Sequence, residues 1–284
     1  MSEAPRHLER TLTAFRGRTF RTARGLRLRT PAQAIQFVRQ RGFVYFWPIQ
    51  GVDLPSLWAA VAGDRPVAEF HDDPGHITWR WKDSLLGARK WHYAKLLRGK
   101  ATLVSLPTLP YFYALSERLG DLDDYVLAYE SGRISREARL IADVLLRHGA
   151  QHTIQLRQAT HLDAPTSKAR FERGLVELQR GLWILPIGVA EAGSWNYAFI
   201  YELVDRWYPG LLEQAQPLAA EPARAHLARR LLDSVGAATP GTVQRLFHWP
   251  AEAVHQALDD LRRIRAARQL PDGRWVSGRL LRSR

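Results

Sequence analysis

The sequence predicts an α+β, mainly helical protein made of tandem winged-helix units with short β-hairpin wings. Three features predict it. Amphipathic helical stretches come in sets of three, a pair of aromatic and β-branched runs follows one set, and the whole order recurs near the end of the chain.

The order is clearest in the middle. In REARLIADVLLRHG, Leu140, Ile141, Val144 and Leu145 recur at helical spacing, and Gly149 follows the last turn. HTIQLRQAT fits a second, short helix. HLDAP then offers Asp163 or Thr166 as a cap, with Pro165 in the entry to a third helix, TSKARFERGLVELQRG. LWILPIG and WNYAFIYEL, separated by VAEAGS, read as two antiparallel strands joined by a loop. The same series returns as ARAHLARRLLDSVG, TPGTVQRLFHW, PAEAVHQALDDLRRIRAA and RQLPDGRWVSG, whose Pro-Asp-Gly marks a tight turn. Between the two sets, YPGLLEQAQPLAAEP (208–222) has the proline and small-residue content of a linker.

The first part is less regular. TPAQAIQFVRQRG is a capped helix with Thr30 at the N-cap, Pro31 in the first position and Gly42 after its end. FVYFWPI reads as a strand that Pro48 stops or holds to an edge. VDLPSLWAAVAG and WKDSLLGARKWHYAKLLRG read as helices, KATLVSL as a strand, and TLPYFYALSERLG as a helix after its proline. Three domains are expected: a helical or winged-helix module carrying a tryptophan-rich site (1–125), a central winged helix (126–209) and a C-terminal winged helix (216–284).

The 284 residues contain no cysteine, which excludes disulfides, thiolate zinc sites and a cysteine nucleophile. No apolar run is long enough for a membrane span or a secretory signal, so a soluble cytoplasmic protein with no membrane partner is expected, nucleoid-associated if bacterial. A monomer is the expected state. The net charge of +13 makes double-stranded DNA the leading partner. Nearly all the cations are arginine, so their placement decides what they do.

In the helix over 166–180, Phe171, Leu175 and Leu178 form one stripe and send Arg170, Arg173 and Arg180 to the far side. A winged-helix protein lays such a helix in the major groove, where Thr166, Ser167 and Lys168 at its N-terminal end suit phosphates or base edges. The alternative is a solvated face with Glu172 and Glu177 balancing some charge. The matching helix of the last unit carries Glu252, Asp259 and Asp260, which limits Arg262, Arg263 and Arg265 to backbone phosphate.

FHDDPGHITWRWKDS (70–84) gathers His71, Asp72, Asp73 and His76. Their spacing matches no established metal site, and Pro74-Gly75 favours a turn that Asp72 or Asp73 caps, so neither metal nor cofactor is expected. Asp83 stands among Trp79, Trp81 and Lys82. Aromatic walls around a carboxylate enclose a base for stacking and raise the pKa of a general base; ordinary packing is the competing reading.

RGFVYFWPIQ, then ITWRWKDSLL, then SKARFERGLVELQRGLWILPIG together resemble the AlkZ-like (YcaQ-type) winged-helix DNA glycosylases, over roughly 30–265. The resemblance implies a protein of damaged-DNA repair that hydrolyses the N-glycosidic bond of alkylated purines and unhooks interstrand crosslinks. In that family a glutamine and an aspartate flanking a hydrophobic residue position the attacking water; here Tyr45 stands at the glutamine, Phe46 at the hydrophobic residue and Trp47 at the aspartate. A tyrosine hydroxyl is a poor base at neutral pH and tryptophan offers only a donor, so the known water-activating chemistry should be absent. Two outcomes remain open: Asp83, or Asp72 or Asp73, carries catalysis, or the protein recognises a base by stacking on Tyr45, Trp47 and Trp81 without cutting. A non-catalytic winged-helix transcription regulator is the alternative of a different class. The family's further β-barrel-like segment is expected to be missing.

Overall fold

A computed structural model describes residues 3–282 except His71 and Ser194, with side chains from Leu8 onward. The chain opens with α1 (Glu3–Thr19), α2 (Pro31–Arg41), β1 (Phe43–Tyr45), α3 (Leu57–Ala62), α4 (Ile77–Leu86), β2 (His92–Lys95), β3 (Ala101–Val104) and α5 (Leu109–Ala114). It continues with α6 (Tyr125–Glu130), α7 (Arg136–His148), β4 (Gln151–His152), α8 (Thr153–Ala159), α9 (Lys168–Arg180), β5 (Ile184–Ala190), β6 (Ala198–Leu203), α10 (Val204–Trp207) and α11 (Leu211–Ala215). Last come α12 (Ala220–Val235), β7 (Ala237–Ala238), α13 (Pro240–Phe247), α14 (Ala251–Arg263), β8 (Ala267–Gln269), β9 (Trp275–Ser277) and α15 (Gly278–Arg282).

Helices and small antiparallel sheets therefore share the molecule, with helices in the majority. The sheets follow one plan, in the orders β1-β3-β2, β4-β6-β5 and β7-β9-β8. Each time a helix leads into a short strand, two helices intervene, and a hairpin returns so that its last strand lies in the centre.

Local chemistry sets the element ends. Thr30 accepts from the Gln33 N–H, Pro31 fits the first helical position, and Gly42 ends α2 at a φ of 87°. On α9, Phe171, Leu175 and Leu178 are buried while Arg170, Arg173 and Arg180 are exposed, as the spacing requires. Gly174 shares the buried face because α7 crosses so closely that a Cβ there would come within 2.9 Å of the Ala138 nitrogen.

Five expectations need correction. WKDSLLGARKWHYAKLLRG is not one helix: α4 ends at Leu86, Arg89 takes a φ of 49°, and β2 follows. Trp91, His92, Tyr93 and Ala94 are all buried, so the strand shows no alternation that would betray it. FVYFWPI is strand only over β1, and WNYAFIYEL only from Ala198. The proposed linker holds α11, whose Leu211 and Ala215 are core residues. Neither Asp163 nor Thr166 caps α9; a 3-10 turn over Pro165–Ser167 leads in, and Ser167 occupies the N-cap without a side-chain bond.

The core is shared among the three sheets. Along β1, Phe43 and Tyr45 join one cluster with α5, α12, α13 and α14, while Val44 and Phe46 join another with α2, α3 and α4, as alternation along a strand demands. α1 packs onto the last unit, with Leu12 and Phe15 against Ala237, Val276 and Leu280.

One guanidinium ties the units together. The Arg118 side chain is 1% exposed; its Nε donates to both Asp124 oxygens at 2.8 and 2.9 Å, its Nη1 to the Leu182 carbonyl and its Nη2 to Asp205. Asp124 also accepts from Trp183 Nε1 at 2.8 Å, and Asp205 from the Tyr113 hydroxyl. Arg118→Ala leaves two buried carboxylates without their cation and should cost about 3–5 kcal/mol in urea unfolding. A loss below about 1 kcal/mol would show that the hub does not hold the units.

His92 is fully buried on β2 with neither ring nitrogen partnered, and burial drives its pKa from 6.5 down to about 3. The folded value lies below the unfolded one, so the stability due to neutral His92 is complete above pH 6.5 and is lost as pH falls towards 3. Between pH 7 and pH 4.5 the protein should lose about 2–3 kcal/mol more than His92→Leu, measured by urea unfolding at both values. Equal losses in the two proteins would contradict this.

Candidate functional site

The tryptophan-rich region is built where α4 packs on the β5–β6 hairpin. Asp73 starts it: its carboxylate accepts the Gly75 N–H at 2.7 Å and both oxygens take Arg65 Nη2, at 2.6 and 2.8 Å. That turn sets the phase of α4, which turns Thr78, Trp81, Lys82 and Leu86 inward and leaves Trp79 41% exposed.

Lys82 is the unexpected residue. Its side chain is 1% exposed, and its Nζ lies 4.4 Å from the Phe199 ring centre, 4.7 Å from Trp79 and 5.2 Å from Tyr93, with Phe46 and Tyr197 each at 5.6 Å. Five ring faces form a box for one ammonium. Nζ donates to the Tyr197 hydroxyl at 2.9 Å and to Asp83 Oδ1 at 2.8 Å, and the Tyr197 hydroxyl donates to the same oxygen at 2.9 Å. Burial lowers the Lys82 pKa and the Asp83 bond pulls it back; burial and Asp83 both push the Tyr197 hydroxyl up. Asp83 itself is a quarter exposed, and among the described residues its Oδ2 accepts nothing, so one carboxylate oxygen is pinned and the other faces outward.

Around this triangle the rings divide into two sets. Trp47 is half-buried between Phe46, Trp58, His76 and Trp79, with ring centres 4.8 to 6.2 Å away. Trp79 meets Tyr197 edge-on at 6.2 Å. Trp195, in the loop between β5 and β6, is 89% exposed. Tyr45 and Trp81 belong elsewhere: both are core residues, Tyr45 at 0% exposure with its hydroxyl unpartnered and Trp81 at 6%, so neither offers a ring face to a base. Stacking on those two is thereby corrected, because each side chain is enclosed by its own hydrophobic cluster.

The remaining expected positions are dispersed. Asp72 is exposed, Asp73 is committed to Arg65 and its turn, His76 Nε2 lies 3.2 Å from the Ala68 carbonyl, and His71 lies outside the described residues. Among the described residues no three histidine or carboxylate side chains are grouped to hold a metal ion. Thr166, in the turn before α9, and Lys168, Arg170 and Arg173 on it are exposed, with Arg170 3.4 Å from Glu137. Ser167 is only 5% exposed, and its hydroxyl accepts from Arg170 at 3.3 Å. Arg262 and Arg263 pair with Asp259 and Asp260 on their own helix. No helix among the described residues is long and apolar enough to cross a membrane.

Lys82 and Tyr197 escape the sequence. Lys82 does sit in the i, i+3, i+4 stripe of Thr78, Trp81 and Lys82, a lysine on an apolar face, and that is the available signal. Tyr197 lies 115 residues away, beyond any local pattern.

A family model described as AlkZ related matches residues 28–248. Among solved structures, the Streptomyces sahachiroi DNA glycosylase AlkZ is similar in fold, with a TM-score of 0.54 at 14% identity over 96% of this chain and 71% of that one. No curated protein matches the chain.

The triangle makes a measurable prediction. Lys82→Met leaves the Asp83 oxygen with Tyr197 alone and should cost about 1–3 kcal/mol, because the carboxylate is partly reached by water. Adding Asp83→Asn should restore part of that loss. Additive losses in the double-mutant cycle, read by urea unfolding, would mean the two side chains do not interact.

Proposed function

Because the chain belongs to the AlkZ-related family, we propose that it is a DNA-binding protein of damaged-base repair, built from three tandem winged-helix units. The repeated helix–strand–helix–helix–hairpin order, with the last strand central in each sheet, supports that architecture. The units correspond to 1–125, 126–209 and 216–284, with α1 laid on the third. Double-stranded DNA is the partner. α9 and the turn before it supply Thr166, Lys168, Arg170 and Arg173 to its backbone.

The observation that carries the reading is the Asp83 carboxylate, held on one oxygen by Lys82 and Tyr197 and open on the other, beside the exposed face of Trp79. Breaking an N-glycosidic bond builds positive charge on the sugar as the base departs. A fixed carboxylate stabilises that charge without having to reorganise. Trp79, with Trp47 behind it, is the stacking surface for the base. Lys82 and Tyr197 are positioning residues: they fix the rotamer of Asp83 and present its free oxygen. Asp83 thus takes the place of the family's polar pair, whose positions hold Tyr45 and Trp47. The burial of Tyr45 favours a second reading, recognition of the damaged base without cutting.

Duplexes carrying alkylated purines or an interstrand crosslink test both. The protein should bind them more tightly than undamaged duplex in direct competition, with affinity falling steeply as salt rises. Abasic sites should accumulate on incubation, and Asp83→Asn should slow their formation at least 100-fold while leaving binding within about threefold. Binding without product supports recognition alone. Preference among undamaged sequences, with no preference for damage, would move the protein to transcriptional regulation.

A further inference from the structure

We infer that a cationic cleft where the three units meet, lined by Arg98, Arg180, Arg245 and His248, is a binding site for a phosphate of the DNA backbone. The inference rests on the DNA-binding reading above and assigns it a second point of contact, away from Asp83.

The four residues come from three separate parts of the chain. Arg98 stands in the turn between β2 and β3, Arg180 ends α9, Arg245 lies on α13 and His248 follows it. A cavity of about 340 Å³ is lined by Arg98, Gln244, Arg245, His248 and Trp249. A narrower one of about 150 Å³ shares Arg98, His248 and Trp249 with it and adds Arg180. Among the described residues no carboxylate lines either cavity.

That absence separates these cations from the ones held in ion pairs. Arg65, Arg118, Arg139, Arg206, Arg262 and Arg263 all have an acidic partner. Among the described residues none of Arg98, Arg180 and Arg245 forms an ion pair, and Arg245 makes only a 3.5 Å contact with Thr242. Like charges gathered without a counter-ion repel one another, so the arrangement is stabilised by an anion that bridges them. A guanidinium fork matches phosphate oxygens in pairs, and three forks from different directions offer more donors than one carboxylate can accept.

The backbone supports a held geometry. Arg98 and His248 take φ of 55° and 58°, and Leu182, which lines the narrower cavity, takes 60°. At His248 this is the left-handed cap that ends α13, its N–H donating to the Gln244 carbonyl. Trp249, stacked on Phe247 with ring centres 4.3 Å apart, gives the cleft a flat apolar wall suited to the adjoining sugar.

The test uses the full chain with Arg98→Ala, Arg180→Ala and Arg245→Ala combined, against a charge-matched control with Arg24→Ala, Arg39→Ala and Arg268→Ala, three exposed arginines outside the cleft. Binding of a duplex of about 20 base pairs is followed by fluorescence anisotropy over a salt series, and inorganic phosphate is titrated calorimetrically into the DNA-free protein. The cleft variant should bind duplex at least about tenfold more weakly than the control, with a log–log salt slope shallower by about one unit for each phosphate it no longer neutralises. Equal affinity and slope in the two variants overturn the assignment to the DNA backbone, and if inorganic phosphate still binds in a cleft-dependent way the site belongs to a free phosphate group. Should the unsubstituted protein bind no duplex, the DNA reading itself fails; phosphate binding that is abolished in the cleft variant then keeps the phosphate site, and no phosphate binding removes it.

Discussion

The arrangement of the first sheet against the middle one depends on one desolvated guanidinium. Arg118 sits in the stretch between α5 and α6, and its partners come from four places: Asp124 ahead of α6, Leu182 after α9, Asp205 on α10 and, through Asp205, Tyr113 on α5. A buried ion group is weak evidence for net stability, since the cost of taking the charges from water offsets most of their attraction. Its consequence is geometric. Because every partner must be in place to satisfy the same fork, the first and middle units have one mutual arrangement. Burial raises the Asp205 pKa, and Arg118 and the Tyr113 hydroxyl oppose that rise.

That fixed arrangement matters because both candidate sites are assembled across units. Asp83 belongs to α4, but the hydroxyl that shares its oxygen comes from the loop of the β5–β6 hairpin. The arginine cleft takes Arg98 from the first sheet, Arg180 from the middle unit and Arg245 from the last. The two places use positive charge in opposite ways. Lys82 is sealed in rings and satisfied by Asp83 and Tyr197, so it is an internal strut that no polyanion reaches. The cleft arginines are exposed and unpaired, which is the condition for recognising one. Net charge alone scores both alike.

The division of labour explains what is legible in the sequence. The α9 stripe, the Thr30 cap and the Gly42 stop follow from spacing and side-chain chemistry within a few residues, and the structure carries all three. β2 is hidden because both its faces are buried, which erases the period of two, and α11 because the prolines and small residues flanking it look like a linker while Leu211 and Ala215 enter the core. Asp83 is legible as a carboxylate among tryptophans. What holds it is not, since a buried lysine and a tyrosine 115 residues apart are joined only by the packing of α4 on the hairpin. The cleft is illegible for the same reason: Arg98, Arg180 and Arg245 are three ordinary surface arginines until the units close on one another.

The aromatic strip of β1 serves packing on both of its faces. Alternation sends Tyr45 into the core shared with the last unit and Phe46 into the core of the first, where it forms a wall of the Lys82 box. Tyr45 and Trp47 add apolar area to the two cores. Among the described residues the Tyr45 hydroxyl has no partner, and burial pushes its pKa up to about 12. A strand so committed to packing cannot also present a base to a lesion. Any chemistry at this surface must come from a residue whose side chain still meets solvent, and Asp83 on α4, a quarter exposed, meets that condition.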